Sequence, residues 1–152
     1  MKQEIIISGF GGQGVLSMGK ILAYAALMEG KEVTWMPAYG PEQRGGTANV
    51  TVIISDEPIS SPILSSYDTA ILLNQPSLDK FQPKVKAGGT LIYDSFGIID
   101  RPSRTDITSW HIAAMETAAC SLLGVQTLTI SISGSLIISI QSVHAFSNPY
   151  LS

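Results

Sequence analysis

The stretch EIIISGFGGQGVLSMGKIL, residues 4–22, decides the fold. EIIIS is a short β-rich run that stops at once in glycines, the pattern of a buried strand ending in a tight turn. After Gly14, the residues Val15, Met18, Ile21, Leu22 and Ala25 recur at helical spacing and read as the core face of a helix that Gly30 stops. Strand, glycine turn and helix in this order make a Rossmann-like first βα unit. Within it Gly9, Gly11 and Gly14 satisfy G-x-G-x-x-G, in the strand-to-helix context that gives the pattern meaning. Glycines permit positive φ and close approach of a ligand, and the N–H groups at a helix start attract phosphate or carboxylate. The same glycines also let helix and strand pack closely, and at this point both readings stand.

A nicotinamide or flavin dinucleotide needs, besides the turn, an acidic residue about 20 residues on, at the end of the second strand, to hold the ribose hydroxyls. Trp35 and Met36 occupy that place. Glu32 stands at the beginning of the strand, and Glu42 lies further on in a loop. The turn therefore points to another anion, to a subunit contact or to packing.

Working outward, KEVTWM reads as a second strand and TANVTVIIS as a third, with MPAYGPEQRGG between them as an irregular polar loop. TAILLN and GTLIYDS read as adjacent core strands, separated by a short helix and a Gly-Gly turn in QPSLDKFQPKVKAGG. DITSWHIAAMETAACSLLG reads as a second long helix, with Asp106 or Thr108 as N-cap, Ile112, Met115 and Ala119 on its apolar face, and Gly124 as its stop. Strands alternating with helices predict an α/β fold: a three-layer α/β/α domain over residues 1–152 with a mostly parallel sheet. Ligand surfaces then lie where loops leave the carboxyl ends of the strands.

Composition narrows the function. The 152 residues are 45% hydrophobic and 14% charged, with a formal net charge of -3. This suits one globular domain, and without a cluster of lysines and arginines it gives no footprint for nucleic acid. Cys120 is the one cysteine. The chain has neither an internal disulfide nor the four thiolates of an iron-sulfur cluster, and no metal site is expected. The start of the chain lacks a signal-peptide pattern, so the expected compartment is the cytoplasm. After Glu116 no charged residue occurs, yet the Ser/Thr content and the strand-like alternation of TLTISIS argue against a membrane span.

The second constellation is AYGPEQRGGTANV, residues 38–50. Tyr39, Glu42, Gln43 and Arg44 are bunched between Gly40-Pro41 and Gly45-Gly46, so bend residues hold large polar side chains near one strand end. Arg44 has the planar fork that clamps a phosphate or carboxylate, and Tyr39 can stack on a flat ring or cover a partner surface. A Glu42–Arg44 ion pair on an exposed loop is the plainer alternative.

Taken together, GFGGQGV and YGPEQRGG, followed by TANVTVIISDEPISSPI and YDTAILLNQPSLDKF, closely resemble the gamma subunit or gamma domain of the 2-oxoacid:ferredoxin oxidoreductases. The likeness runs over roughly residues 3–118. It implies a three-layer α/β/α domain that assembles with alpha and beta subunits, and often with a ferredoxin-like delta subunit. Such a complex oxidatively decarboxylates a 2-oxoacid with coenzyme A, using thiamine diphosphate, Mg and iron-sulfur clusters carried by the partners, and passes electrons to ferredoxin. Gly9, Gly11, Gly12, Gln13 and Gly14 fall on the first family motif, and Tyr39, Gly40, Pro41, Glu42, Gln43, Arg44, Gly45 and Gly46 on the second. The resemblance implies that both loops face the shared active region, as cofactor-binding or subunit-contact residues. The wording MPAYGPEQRGG is most similar to complexes acting on 2-oxoglutarate or branched-chain 2-oxoacids. A free-standing nucleotide-binding module and a non-catalytic assembly subunit are the alternatives.

The resemblance fades after about residue 119, where the text turns Ser/Ile-rich, as a shifted reading frame or truncated gene model would produce. The remaining candidates read as structural. His111 is placed on the second long helix, Asp94 is a capping or turn residue at a strand end, and Cys120 is a small buried residue. Met28, Met36 and Met115 read as core filling. His144 lies in the uncharged tail.

Overall fold

The computed structural model describes residues 1–39 and 47–114 in full, and the backbone alone of 127–133 and 135–141. Six strands form one sheet: β1 (Lys2–Phe10), β2 (Glu32–Tyr39), β3 (Thr47–Ser55), β4 (Tyr67–Leu72), β5 (Val85–Asp94) and β6 (Thr108–Ile112), in the spatial order β2-β3-β1-β4-β5-β6. β1, β4, β5 and β6 pair in parallel, while β3 pairs antiparallel with both β1 and β2. Five strands thus share one direction and β3 alone is reversed. The strands β7 (Thr127–Ser133) and β8 (Ser135–Gln141) form a separate antiparallel pair, and β7 is the alternating TLTISIS.

β1 is buried on both faces, as its run of three isoleucines requires. Ile5 and Ile7 join Val50, Val52, Ile54, Ile71 and Ile92 beneath the helix α1 (Val15–Met28), which adds Val15, Leu22, Ala23 and Ala26. On the opposite face Ile6, Ala70, Leu72 and Leu91 pack against Leu78 and Phe81 of the short helix α2 (Gln75–Phe81) and against Ile98 and Ile107. These two cores make the three layers. α1 ends as the glycine stop predicts: Gly30 takes a φ of 76°, Lys31 N donates to Ala26 O and Gly30 N to Leu27 O, which satisfies two carbonyls of the last turn.

Several expectations are corrected. Ile21 is 67% exposed, because α1 buries a narrower stripe than its apolar content suggests. Met28 at 89% and Met36 at 37% are likewise surface residues and not core filling. β2 runs on past KEVTWM: Pro37 to Tyr39 belong to it, paired residue by residue with β3, and not to the loop. Gly88 and Gly89 lie inside β5, where they accompany a register shift against β4, so they form an irregularity and not a turn before the strand.

The predicted second long helix begins too early. Thr108 to Ile112 form β6, parallel to β5, since the β-prone TSWHI completes the sheet edge there. His111 therefore sits on a strand, its ring 6.2 Å from that of Tyr93. Asp106 is no cap; its side chain accepts from Arg104 Nε at 2.8 Å. A helical residue appears at Ala114, and Met115, Ala119, Cys120, Gly124 and His144 lie outside the residues whose side chains are described. No helix among the described residues is long and apolar enough to cross a membrane.

At the amino ends of the strands Glu4 is held by Lys2 at 2.6 Å and by Lys86 at 2.6 Å, and Lys86 also bridges to Asp68 at 2.8 Å. Glu4 N donates to the other Asp68 oxygen, so β1, β4 and β5 are tied together. Burial pushes the Glu4 carboxyl up, but the hydrogen bonds and charges of both lysines outweigh it and leave it below 4.5, whereas Lys86 is raised above 10.5 by Asp68 and Glu4. A lowered carboxylate stabilises the fold above its unfolded value, and that stability is lost as pH falls through the folded one. A raised amine stabilises below its unfolded value, and that stability is lost as pH rises through the folded one. Lys86→Met is expected to cost about 1 kcal/mol at neutral pH, a modest figure because Lys86 is partly solvated. Thermal melts across pH should show the gap to wild type closing at both extremes; a gap independent of pH would refute the clasp.

Candidate functional site

Because β1, β2, β4, β5 and β6 run the same way, their carboxyl ends share one rim. β1 and β4 are neighbours whose chains then diverge to opposite faces, α1 covering one and α2 the other. This is the switch point at which ligands bind in open α/β sheets.

The glycine turn occupies that point. Gly12 and Gly14 have φ of 94° and 77°, values that L side chains resist, and Gly11, Gly12 and Gly14 are exposed. Gly9 is a glycine for a different reason. A Cβ there would stand 2.6 Å from Gln13 Oε1 and 3.0 Å from both Leu73 Cβ and Val15 Cγ2. Gln13 folds back over the turn: its N–H donates to Phe10 O at 3.2 Å and its Oε1 accepts from Phe10 N at 2.6 Å. The motif thus encodes its own clamp. Gly14 caps α1 with no side-chain acceptor, and no acidic residue lies in the first turn, which leaves the positive end of the helix uncompensated from within.

The second motif meets the first through β3. Ala48 is the register partner of Gly9 on one side and of Tyr39 on the other. The glycine turn and the end of β2 are therefore two strand spacings apart on one rim, roughly 10 Å. Tyr39 is 71% exposed there. Gly40, Pro41, Glu42, Gln43, Arg44, Gly45 and Gly46 connect Tyr39 to Thr47 and lie outside the described residues. The inserted β3 also bears on the dinucleotide reading: the end of β2 is not adjacent to the glycine turn, as it is where an acidic residue reaches a ribose.

Three residues not singled out as a ligand site organise the rest of the rim. Asn74 caps α2, its Oδ1 accepting from Ser77 N at 2.9 Å, with a proline following in the first turn. Gln75 Oε1 accepts from Ile99 N and Asp100 N, and Gln75 N donates to Gly97 O. Asp94 is fully buried at the end of β5, accepting from Gly97 N and Ala114 N at 2.9 Å each, which is the capping and turn role expected of it. Asn-x-Pro after an apolar run was the available signal for the first of these. Phe10, Phe96 and Ile99 present exposed apolar surface around the same rim.

A family model described as pyruvate ferredoxin/flavodoxin oxidoreductase matches residues 4–140. Ketoisovalerate oxidoreductase subunit VorA of Methanothermobacter thermautotrophicus is 57% identical over 92 residues, 60% of this chain and 19% of that one. The 2-oxoglutarate synthase subunit KorC of Methanocaldococcus jannaschii is 40% identical over 121 residues, 78% of this chain and 65% of that one. The crystal structure of the keto/oxoacid ferredoxin oxidoreductase gamma subunit from Geobacter sulfurreducens superposes with a TM-score of 0.69 at 33% identity, over 80% of this chain and 66% of that one. The chain thus spans about a fifth of the VorA relative and just under two thirds of the KorC relative.

Proposed function

The chain belongs to the pyruvate ferredoxin/flavodoxin oxidoreductase family, and on that premise we propose that it is the gamma-type subunit of a multisubunit 2-oxoacid:ferredoxin oxidoreductase. In this reading it docks on alpha and beta subunits, with a ferredoxin-like delta subunit, and helps form the site at which a 2-oxoacid is decarboxylated and its acyl group passed to coenzyme A. Ferredoxin takes the two electrons. The names of the relatives favour 2-oxoglutarate or a branched-chain 2-oxoacid as substrate.

One observation carries the reading: the shared register partner Ala48 brings the turn and the end of β2 to one rim. That rim combines exposed backbone at the glycines with the exposed rings of Phe10 and Tyr39, a polar and apolar mixture suited to a contact between subunits. Thiamine diphosphate, Mg and the clusters are assigned to the partners, where the chemistry of decarboxylation and electron transfer is supplied. This chain's residues position and enclose: the turn offers N–H donors to an anion, and Arg44 offers a guanidinium.

Affinity purification of the tagged chain is expected to recover thiamine-dependent partners, and recovery of none would overturn the assignment. In the assembled complex Arg44→Ala is expected to raise the apparent KM for coenzyme A about tenfold, the usual scale for one charge-assisted hydrogen bond. An unchanged KM would remove Arg44 from the coenzyme contact.

A further inference from the structure

Ser8, Asn74 and Ser77 are three fully buried polar residues just beneath the carboxyl rim. Ser8 Oγ and Ser77 Oγ share a hydrogen bond of 2.8 Å, Ser8 Oγ donates to Ala48 O at 3.4 Å, and Asn74 Oδ1 accepts from Ser77 N. One donor is left over. Asn74 Nδ2 is enclosed and has no partner among the described residues. A buried donor without an acceptor is costly and rare in folded proteins, so its retention calls for an acceptor that arrives from elsewhere.

Its place in the fold says what kind. Asn74 follows Leu73, whose N–H donates to Ser8 O and whose Cβ lies 3.0 Å from where a Cβ on Gly9 would stand. Residue 74 therefore leaves the β4 side of the β1/β4 crevice at the start of α2, while the uncapped start of α1 leaves the β1 side. Oδ1 is fixed on Ser77 N, so Nδ2 is the one polar atom of the carboxamide left without a partner among the described residues.

Resting on the function proposed above, we infer that Asn74 is a binding residue, its Nδ2 donating to an anionic oxygen, a phosphate or carboxylate, seated in this crevice. The acceptor is needed at Nδ2 only, because the cap oxygen is already engaged. Since the atom is enclosed, the contact forms with a small displacement of the rim and belongs to the bound state.

Asn74→Asp separates the two halves of the amide, keeping a good cap oxygen while replacing the donor with an acceptor. Asn74→Ala removes both. In the reconstituted complex Asn74→Asp is expected to raise the apparent KM for either coenzyme A or the 2-oxoacid at least about tenfold. A rise for coenzyme A assigns the oxygen to a phosphate, and a rise for the 2-oxoacid to a carboxylate. The melting temperature of the full chain alone should fall for both variants, because Asn74→Ala loses the cap and Asn74→Asp encloses a carboxyl oxygen without a donor, so both KM values are read on the assembled, folded fraction. Unchanged values of both KM in the assembled Asn74→Asp complex overturn the inference. An Asp variant that folds but no longer joins the complex overturns it in favour of a subunit contact. Failure of the wild-type chain to assemble, by contrast, would sink the proposed function itself.

Discussion

Gly97→Ala is expected to destabilise the chain by about 3 kcal/mol, a large loss for one methyl group. A Cβ at Gly97 would stand 2.2 Å from the carbonyl oxygen of Leu73, well inside van der Waals contact, and 3.3 Å from Asp94 Oδ2. Neither side can yield cheaply. Leu73 is held by its N–H bond to Ser8 O and by its buried side chain, and Gly97 is held by its N–H on Asp94 and its carbonyl on Gln75. The effect is steric, since Gly97 is not among the positive-φ glycines. Gly12→Ala is the internal contrast: nothing lies within 4 Å of its would-be Cβ, so left-handed strain alone should cost about 1 kcal/mol. Urea unfolding of both variants measures the difference. A Gly97→Ala cost no greater than that of Gly12→Ala would show that the rim around Leu73 is loose.

The physical reason that this glycine was not singled out in the sequence also explains which parts of the molecule were legible there. The first βα unit was, because its strand, turn and helix are contiguous and each carries its own signal: three isoleucines, positive-φ glycines and a 3.6-residue period. Met36 at the end of KEVTWM read as a strand end because the proline that follows masks three more residues of pairing, Pro37 to Tyr39, that only β3 supplies. TSWHI read as helix since its apolar positions fit the longer helical text after it, and its pairing with β5 is a tertiary fact. Gly97 and Leu73 are 24 positions apart, and their contact exists only once β4 and β5 are aligned. The candidate site divides in the same way. Gly9 through Gly14 and Tyr39 were visible as composition and spacing, but that they meet through Ala48 depends on a reversed β3, which no local pattern specifies. Asn74 was not singled out, although Asn-x-Pro could have marked it as a helix cap; its surplus donor belongs to the packed structure.

The clamp within the glycine turn leads to the second large effect, and it is a coupling between two residues. Gly9→Ala is expected to cost about 2 kcal/mol, because the new methyl must displace Gln13 Oε1 and crowd Val15 and Leu73. Gln13→Ala should cost about 1 kcal/mol through the lost bond to Phe10 N–H. The two losses are not independent. Once alanine at 9 has evicted the carboxamide oxygen, removing the side chain no longer costs the bond to Phe10 N–H, so the double variant should cost less than the sum of the two, with a coupling of about 1 kcal/mol. Such a result would mean that the glutamine in GFGGQG is there to shape the turn, and that the ligand-facing groups are the backbone donors it holds in place. Strict additivity would instead mean that Gln13 contributes independently of Gly9 and reaches outward to a partner. Activity of the assembled complex separates the same alternatives: if the clamp is the shared cause, both single variants and the double should lose activity in the order of their stability costs, and a Gln13→Ala loss far exceeding that of Gly9→Ala would point to direct contact.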